Sequence, residues 1–234
     1  MRDSIRHFLS EFIGTFALTF VGSAAIMQAT QGGGNLVAVA LAHGLVLAIF
    51  VSAFMHIGAH FNPAVTLGML VVRRIEPFMA GLYIVAQVAG ATAAAFLLKF
   101  AFPAALFAAT RGGGQSVSLD ITSGQAFLLE MVGTMFLVWA IFGTAVDHRA
   151  PRIGGLGVGF ALAVDILAFG NLTGSSVNPA RSFGPAFASG IYEAQGIYWL
   201  APITGAIIAA LVYEKFLLTE EPEPVDHGAI GSQP

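Results

Sequence analysis

Asparagine, proline and alanine stand together twice in this 234-residue chain, as Asn62, Pro63, Ala64 and again as Asn178, Pro179, Ala180. An Asn side chain offers two N–H donors and a carbonyl acceptor, whereas Pro has no backbone N–H to give. Pro suits the first turn of a helix, where that N–H lacks a partner in any case, and Asn suits the capping position before it. Each triplet therefore marks a helix start with an amide held at its head. Arg181 follows the second triplet directly, and His60 stands just before the first. Glu11, Glu130, Asp165 and His43 lie inside otherwise apolar runs. Together these groups can hydrogen-bond a neutral molecule. Catalysis needs a base, a nucleophile or a metal cluster gathered in one cavity, and nothing in the sequence supplies one. No catalytic residue, metal site or cofactor is expected.

The segments that hold these residues are apolar. Hydrophobic residues make up 56% of the chain and charged ones 10%, with a mean hydropathy of +0.80. Soluble domains carry roughly a quarter charged residues, so this composition is that of an integral membrane protein. A net charge of −3 with no basic patch argues against nucleic acid as a partner. With no cysteine there is no disulfide or thiolate chemistry. Windows of about 20 residues give six spans, at about 8–27, 36–56, 77–98, 125–146, 154–170 and 197–218. The first is longer than the roughly 7–15-residue core of a signal peptide and holds Glu11, so it is expected to be retained.

Counted across alternate connections, Arg2, Arg6, Arg73, Arg74, Arg149, Arg152 and Lys215 fall on one side. Lys99, Arg111 and Arg181 fall on the other. That bias puts both termini in the cytoplasm. Residues 219–234 are polar, with Pro and Gly, and are expected to be a disordered cytoplasmic tail.

The chain also repeats itself. GAHFNPAVTLG from Gly58 matches GSSVNPARSFG from Gly174, EFIGT at Glu11 matches EMVGT at Glu130, and YIVAQVAGATAAA at Tyr83 matches YWLAPITGAIIAA at Tyr198. Three matches in one order indicate a duplication. The first repeat is 1–98 with a half-helix from about 63 to 72, and 99–124 is an extracellular connecting loop. The second repeat is 125–218 with a half-helix from about 179 to 188. Three spans per half place the copies in opposite orientations. Ala86, Gly90 and Ala94 recur as Ala201, Gly205 and Ala209, a small-residue stripe that allows close helix approach in lipid.

From Pro63 to Arg73 there is room for only about 15 Å of helix, half of a roughly 30 Å hydrocarbon core. Each triplet thus starts a helix that enters and turns back. Non-helical backbone at that depth must be covered by protein or line a water-filled cavity. Two such helices from opposite faces bring their positive N-terminal dipoles together near the midplane, with Asn62 and Asn178 between them. That meeting point favours a neutral molecule and repels cations.

Paired Asn-Pro-Ala boxes in an inverted six-span repeat, with SEFIGTF, GAHFNPAVTLG and NPARSFGPA, resemble the aquaporin, or major intrinsic protein, family. The resemblance covers nearly the whole chain apart from the tail. It implies an all-α membrane protein with six transmembrane helices plus two re-entrant half-helices in an inverted internal repeat. It also implies a homotetramer in the lipid bilayer with one pore per subunit, passing water and small neutral solutes. By the same resemblance Glu11 and Glu130 brace the re-entrant loops, and His60 faces the cytoplasmic vestibule.

The family's outer selectivity filter maps onto His43, Ile166, Ser175 and Arg181. LAHGL matches the second-span filter position of the vacuolar (tonoplast) subgroup, although the link HIGAH is one residue shorter than usual, so His43 is placed by its His-Gly pair. Ile166 stands where strict water channels carry His. Ser182 after Arg181 and the pair Tyr198 and Trp199 resemble the water type and not the glycerol type. The expected function is a passive water channel that also passes ammonia, urea or hydrogen peroxide and excludes protons and ions. The alternatives are a glycerol-type facilitator and a coupled secondary transporter. The expected location is the bacterial cytoplasmic membrane, with the vacuolar membrane as the alternative.

Overall fold

Six long apolar stretches fold as membrane-length helices, and each Asn-Pro-Ala triplet starts a short one, in a computed structural model that describes residues 2–151 and 153–219. In order these are α1 (Arg2–Thr30), α2 (Leu36–Phe54), the half-helix α3 (Pro63–Val71) and α4 (Pro77–Ala101). A short α5 (Ala104–Ala109) leads to α6 (Ser123–Ile141), α7 (Leu156–Thr173), the half-helix α8 (Pro179–Ser189) and α9 (Gln195–Val212). Both α6 and α9 run on through a wider final turn, Phe142–Val146 and Tyr213–Leu217. The half-helices hold 9 and 11 residues, about 14–17 Å at 1.5 Å per residue.

Several boundaries differ from the sequence expectation, most of them by two or three residues. α1 is longer at both ends than 8–27, because a helix keeps its backbone bonded past the edge of the hydrocarbon. The connecting segment 99–124 is not a bare loop: it contains the end of α4, all of α5 and a tight turn at Arg111–Gly113. α7 starts and ends a few residues later than 154–170, closing on Gly174 in the left-handed conformation. Arg152 and the expected tail beyond Thr219 lie outside the described residues.

Only 39% to 44% of each span's most apolar stretch is buried within the chain. The outward remainder includes Phe78, Val85, Phe100 and Ile49, all more than half exposed. Such a surface is costly in water, at about 25 cal/mol per Å² of apolar area, and costs nothing against lipid tails.

Inside the bundle, small residues set the helix spacing. A Cβ on Gly90 of α4 would stand 2.4 Å from the Phe12 carbonyl oxygen of α1, and one on Gly205 of α9 would stand 2.1 Å from that of Met131 on α6. Gly90 and Gly205 are repeat equivalents, so both halves close the same contact in the same way. The half-helices cross over: α8 of the second half packs on α4 of the first, and α3 of the first packs on α9 of the second. Neither half is complete without the other.

Polar ties mark the two ends of the bundle. On one side Arg74 forks onto Glu214 at 2.7 and 3.1 Å. On the same side Arg149 forks onto Asp147 at 2.9 and 2.5 Å and donates to the Leu217 carbonyl at 2.9 Å. Donation from the Arg149 side chain, and then from its backbone N–H, holds Asp147 well below the usual carboxylate range. A depressed carboxyl contributes stability above its ordinary titration range and loses it only in stronger acid. On the other side Arg111 pairs with Glu193.

Candidate functional site

Glu11 and Glu130 are fully buried within apolar helices, and each is surrounded by donors. Glu11 accepts from the N–H of His60 (2.8 Å), the N–H of Phe61 (2.7 Å) and Gln87 Nε2 (2.7 Å). Glu130 accepts from Thr173 Oγ1 (2.7 Å), the N–H of Ser176 (2.9 Å) and the N–H of Val177 (2.7 Å). Each carboxylate thus grips the chain just before an Asn-Pro-Ala triplet. The grip matters because Phe61 and Val177 have φ of 49° and 45°. A bulky residue in that region costs about 1–3 kcal/mol and persists only when its surroundings hold it there.

That left-handed kink turns the Phe61 and Val177 carbonyls toward the opposite triplet. Asn62 Nδ2 donates to the Val177 oxygen at 2.7 Å, and Asn178 Nδ2 donates to the Phe61 oxygen at 2.8 Å. The side-chain oxygens face the other way and cap the half-helices. Asn62 Oδ1 accepts from the N–H of Ala64, and Asn178 Oδ1 accepts from those of Ala180 and Arg181. Pro63 and Pro179 occupy the first helical turn in each case. One N–H of each Asn is therefore committed to joining the two loops, which leaves one per amide for a passing molecule.

Toward the end of the bundle that carries Arg111, the polar groups narrow to a second pair. His43 Nδ1 lies 2.8 Å from the Val39 carbonyl oxygen. A carbonyl only accepts, so Nδ1 carries the proton and the bare Nε2 accepts from Arg181 Nη2 at 2.9 Å. The one-residue-shorter link therefore does not displace His43 from Arg181. Arg181 Nη1 and Ser175 Oγ have no partner among the described residues, and both residues are buried. Ile166 is buried one helical turn beyond Leu162 and borders the cavity outside this pair.

Gly22 of α1 makes the room for His43: a Cβ there would lie 2.2 Å from Nε2. Gly22→Ala is expected to push the ring off Arg181 and, as overpacking, to cost about 1–3 kcal/mol. Thermal unfolding in detergent together with water flux would check both effects.

Three cavities follow one another along this line. A central one of about 20 Å³ is lined by His43, Leu47, Asn62, Leu162, Asn178 and Arg181, among others. A wider one of about 260 Å³ lies toward His60 and Tyr83, and one of about 510 Å³ lies on the far side of His43. No residue lines both the central and the far cavity. A single water needs about 10–15 Å³, so the central cavity has room for about one water. His60 borders the central and inner cavities, with Nδ1 3.1 Å from Thr66 Oγ1.

Sequence reasoning missed Gln87, Thr66, Thr173 and Gln115. Gln87 Nε2 serves both Glu11 and Thr66 Oγ1, whereas on the other side Thr173 supplies the third donor to Glu130. The repeat places Pro202 opposite Gln87, so comparing the two halves hides this role. The usable signal was a lone amide in an apolar span. Gln115 lies at the wide cavity, packed on Gly174, with neither amide atom partnered among the described residues. Asp165 is buried beside Ile166, its Oδ2 without a partner among the described residues. Nothing in the structure explains why an acid stands there.

Six membrane-length helices enclosing two opposed half-helices, with a narrow, mostly apolar-walled cavity that carries a few polar groups between wider mouths, define a channel-type membrane protein. A sequence model of the major intrinsic protein family matches residues 1–213, and the chain belongs to that family. It is 40% identical over 237 residues to aquaporin TIP4-4 of Zea mays, covering 95% of this chain and 92% of that one. It is also 40% identical over 234 residues to aquaporin TIP1-2 of Zea mays, covering 94% and 89%. The fold matches the crystal structure of an aquaglyceroporin from Plasmodium falciparum with a TM-score of 0.82 at 24% identity, over 91% of this chain and 96% of that one.

Proposed function

We propose that this chain is a passive water channel that also passes small neutral solutes and excludes protons and other ions. The observation that carries this reading is the central cavity of about 20 Å³, held between the cross-linked Asn pair and the His43–Arg181 pair. Water reaching the midplane meets one free N–H from each of Asn62 and Asn178, at the positive ends of two half-helices. A water oxygen that accepts there turns its hydrogens outward, which breaks a continuous proton wire. Arg181 adds a permanent charge and a nitrogen unpartnered among the described residues to the outer narrowing. The named aquaporin relatives point to the same substrate.

Ser175 and Ile166 offer one hydroxyl and one apolar wall where a second imidazole would narrow the path further. Urea, ammonia and hydrogen peroxide are the solutes this opening suits. Stopped-flow light scattering of proteoliposomes under gradients of each, and of glycerol, tests the range. Water should be fastest and glycerol near the rate of empty vesicles; glycerol flux equal to water flux would refute the proposed size. Ile166→His is expected to lower urea flux more than water flux, and unchanged selectivity would remove Ile166 from the filter.

The working unit in this reading is a homotetramer in the bilayer with one pore per subunit and both termini cytoplasmic. Its TIP-type relatives support the vacuolar membrane over the bacterial cytoplasmic one.

A further inference from the structure

Lys99 ends α4 at the same side of the bundle as Arg111, and no carboxylate among the described residues pairs with it. One of its three N–H donors goes to the Ala188 carbonyl at 2.7 Å, near the end of α8. The ammonium stands 5.9 Å from the ring centres of both Phe96 and Phe107. Beside it opens a cavity of about 360 Å³ walled by Ala104, Phe107, Ala108, Ser189 and Ile191. The surrounding surface is apolar and outward-facing: Phe96, Leu97 and Phe100 on α4 and Phe187 on α8 are all exposed.

A lysine that merely reached for water would need no such recess. Here two N–H donors remain, at the rim of a hydrocarbon-walled cavity on a flank that faces lipid tails. A ligand that suits both features has an anionic oxygen head joined to a hydrocarbon chain. We propose that this recess binds an anionic phospholipid, with its phosphate on Lys99 and the start of an acyl chain against Ala104, Phe107 and Ala108. Charge selects the occupant. A zwitterionic lipid brings its own ammonium, which offsets the attraction. A second copy of this chain docking face to face would set Lys99 against the same patch and leave both ammonium groups unpaired.

Native mass spectrometry of the delipidated protein, titrated with phosphatidylglycerol or with phosphatidylcholine of the same acyl chains, tests this. Phosphatidylglycerol should bind about fivefold more tightly, the effect of one lysine near an anionic headgroup. Lys99→Gln should remove that preference and Lys99→Arg should keep it. Ala108→Trp fills the recess while leaving Lys99 and its Ala188 bond in place, so it should weaken both lipids even if Lys99→Gln folds poorly. Inorganic phosphate and glycerol phosphate should not displace the lipid. The proposal is overturned if Lys99→Gln keeps the preference, if Ala108→Trp changes nothing, if free phosphate competes as well as lipid, or if copies of the chain pair through this face and exclude lipid.

Discussion

Glu130→Ala should cost about 2–6 kcal/mol of folded stability, from about 1–3 kcal/mol for each of the two backbone N–H groups it strands, at Ser176 and Val177. A water entering the emptied site would satisfy at most part of this donor set, which puts the expected loss toward the lower end of that range. The left-handed Val177 would lose what holds it, and its carbonyl would turn away from Asn62 Nδ2. The damage therefore crosses to the other half of the molecule. Glu130→Gln keeps one acceptor oxygen but turns an NH2 group toward an N–H, so its loss should be intermediate. Unfolding temperature in detergent and water flux should both fall in the order wild type, Gln, Ala. A variant as stable as wild type would mean that the grip on the loop is dispensable.

Arg181→Ala should have the largest effect on what the channel admits. At about 4 Å and an effective dielectric constant of 20, two like charges repel by about 4 kcal/mol, roughly a thousandfold in rate. The half-helix dipoles keep part of the barrier, so cation and proton leakage should rise by less than that. The loss also frees His43 Nε2 and empties the space the guanidinium fills, so urea flux should rise while water flux changes little. Arg181→Lys retains the charge but not the flat fork, so it should still exclude cations while positioning His43 less firmly. Patch-clamp conductance and dye-reported proton uptake in vesicles would separate the two variants.

Much of this was legible before any coordinates. The triplets, their repeat offset and the paired Glu11 and Glu130 are local patterns, and each has one physical reading at membrane depth. The structure added how the amides are used. Half of each Asn donor capacity goes to the opposite loop, and that allocation depends on Phe61 and Val177 adopting positive φ. A backbone kink of this kind leaves no mark in residue type, since neither Phe nor Val favours it. Gln87 and Thr173 stayed hidden because the halves meet the same need for a third donor with unrelated residues. α5 was missed because a six-residue helix of Ala, Leu and Phe has no periodicity to separate it from the end of α4.

The central claim is that water passes this chain and protons do not. Proteoliposomes loaded with a pH-sensitive dye, mixed in a stopped-flow instrument against an osmotic and a proton gradient together, measure both in one experiment. The expected result is shrinkage well above that of empty vesicles, with internal pH drifting no faster than in those controls. Shrinkage at the empty-vesicle rate, or proton entry that rises in step with water flux, would contradict it.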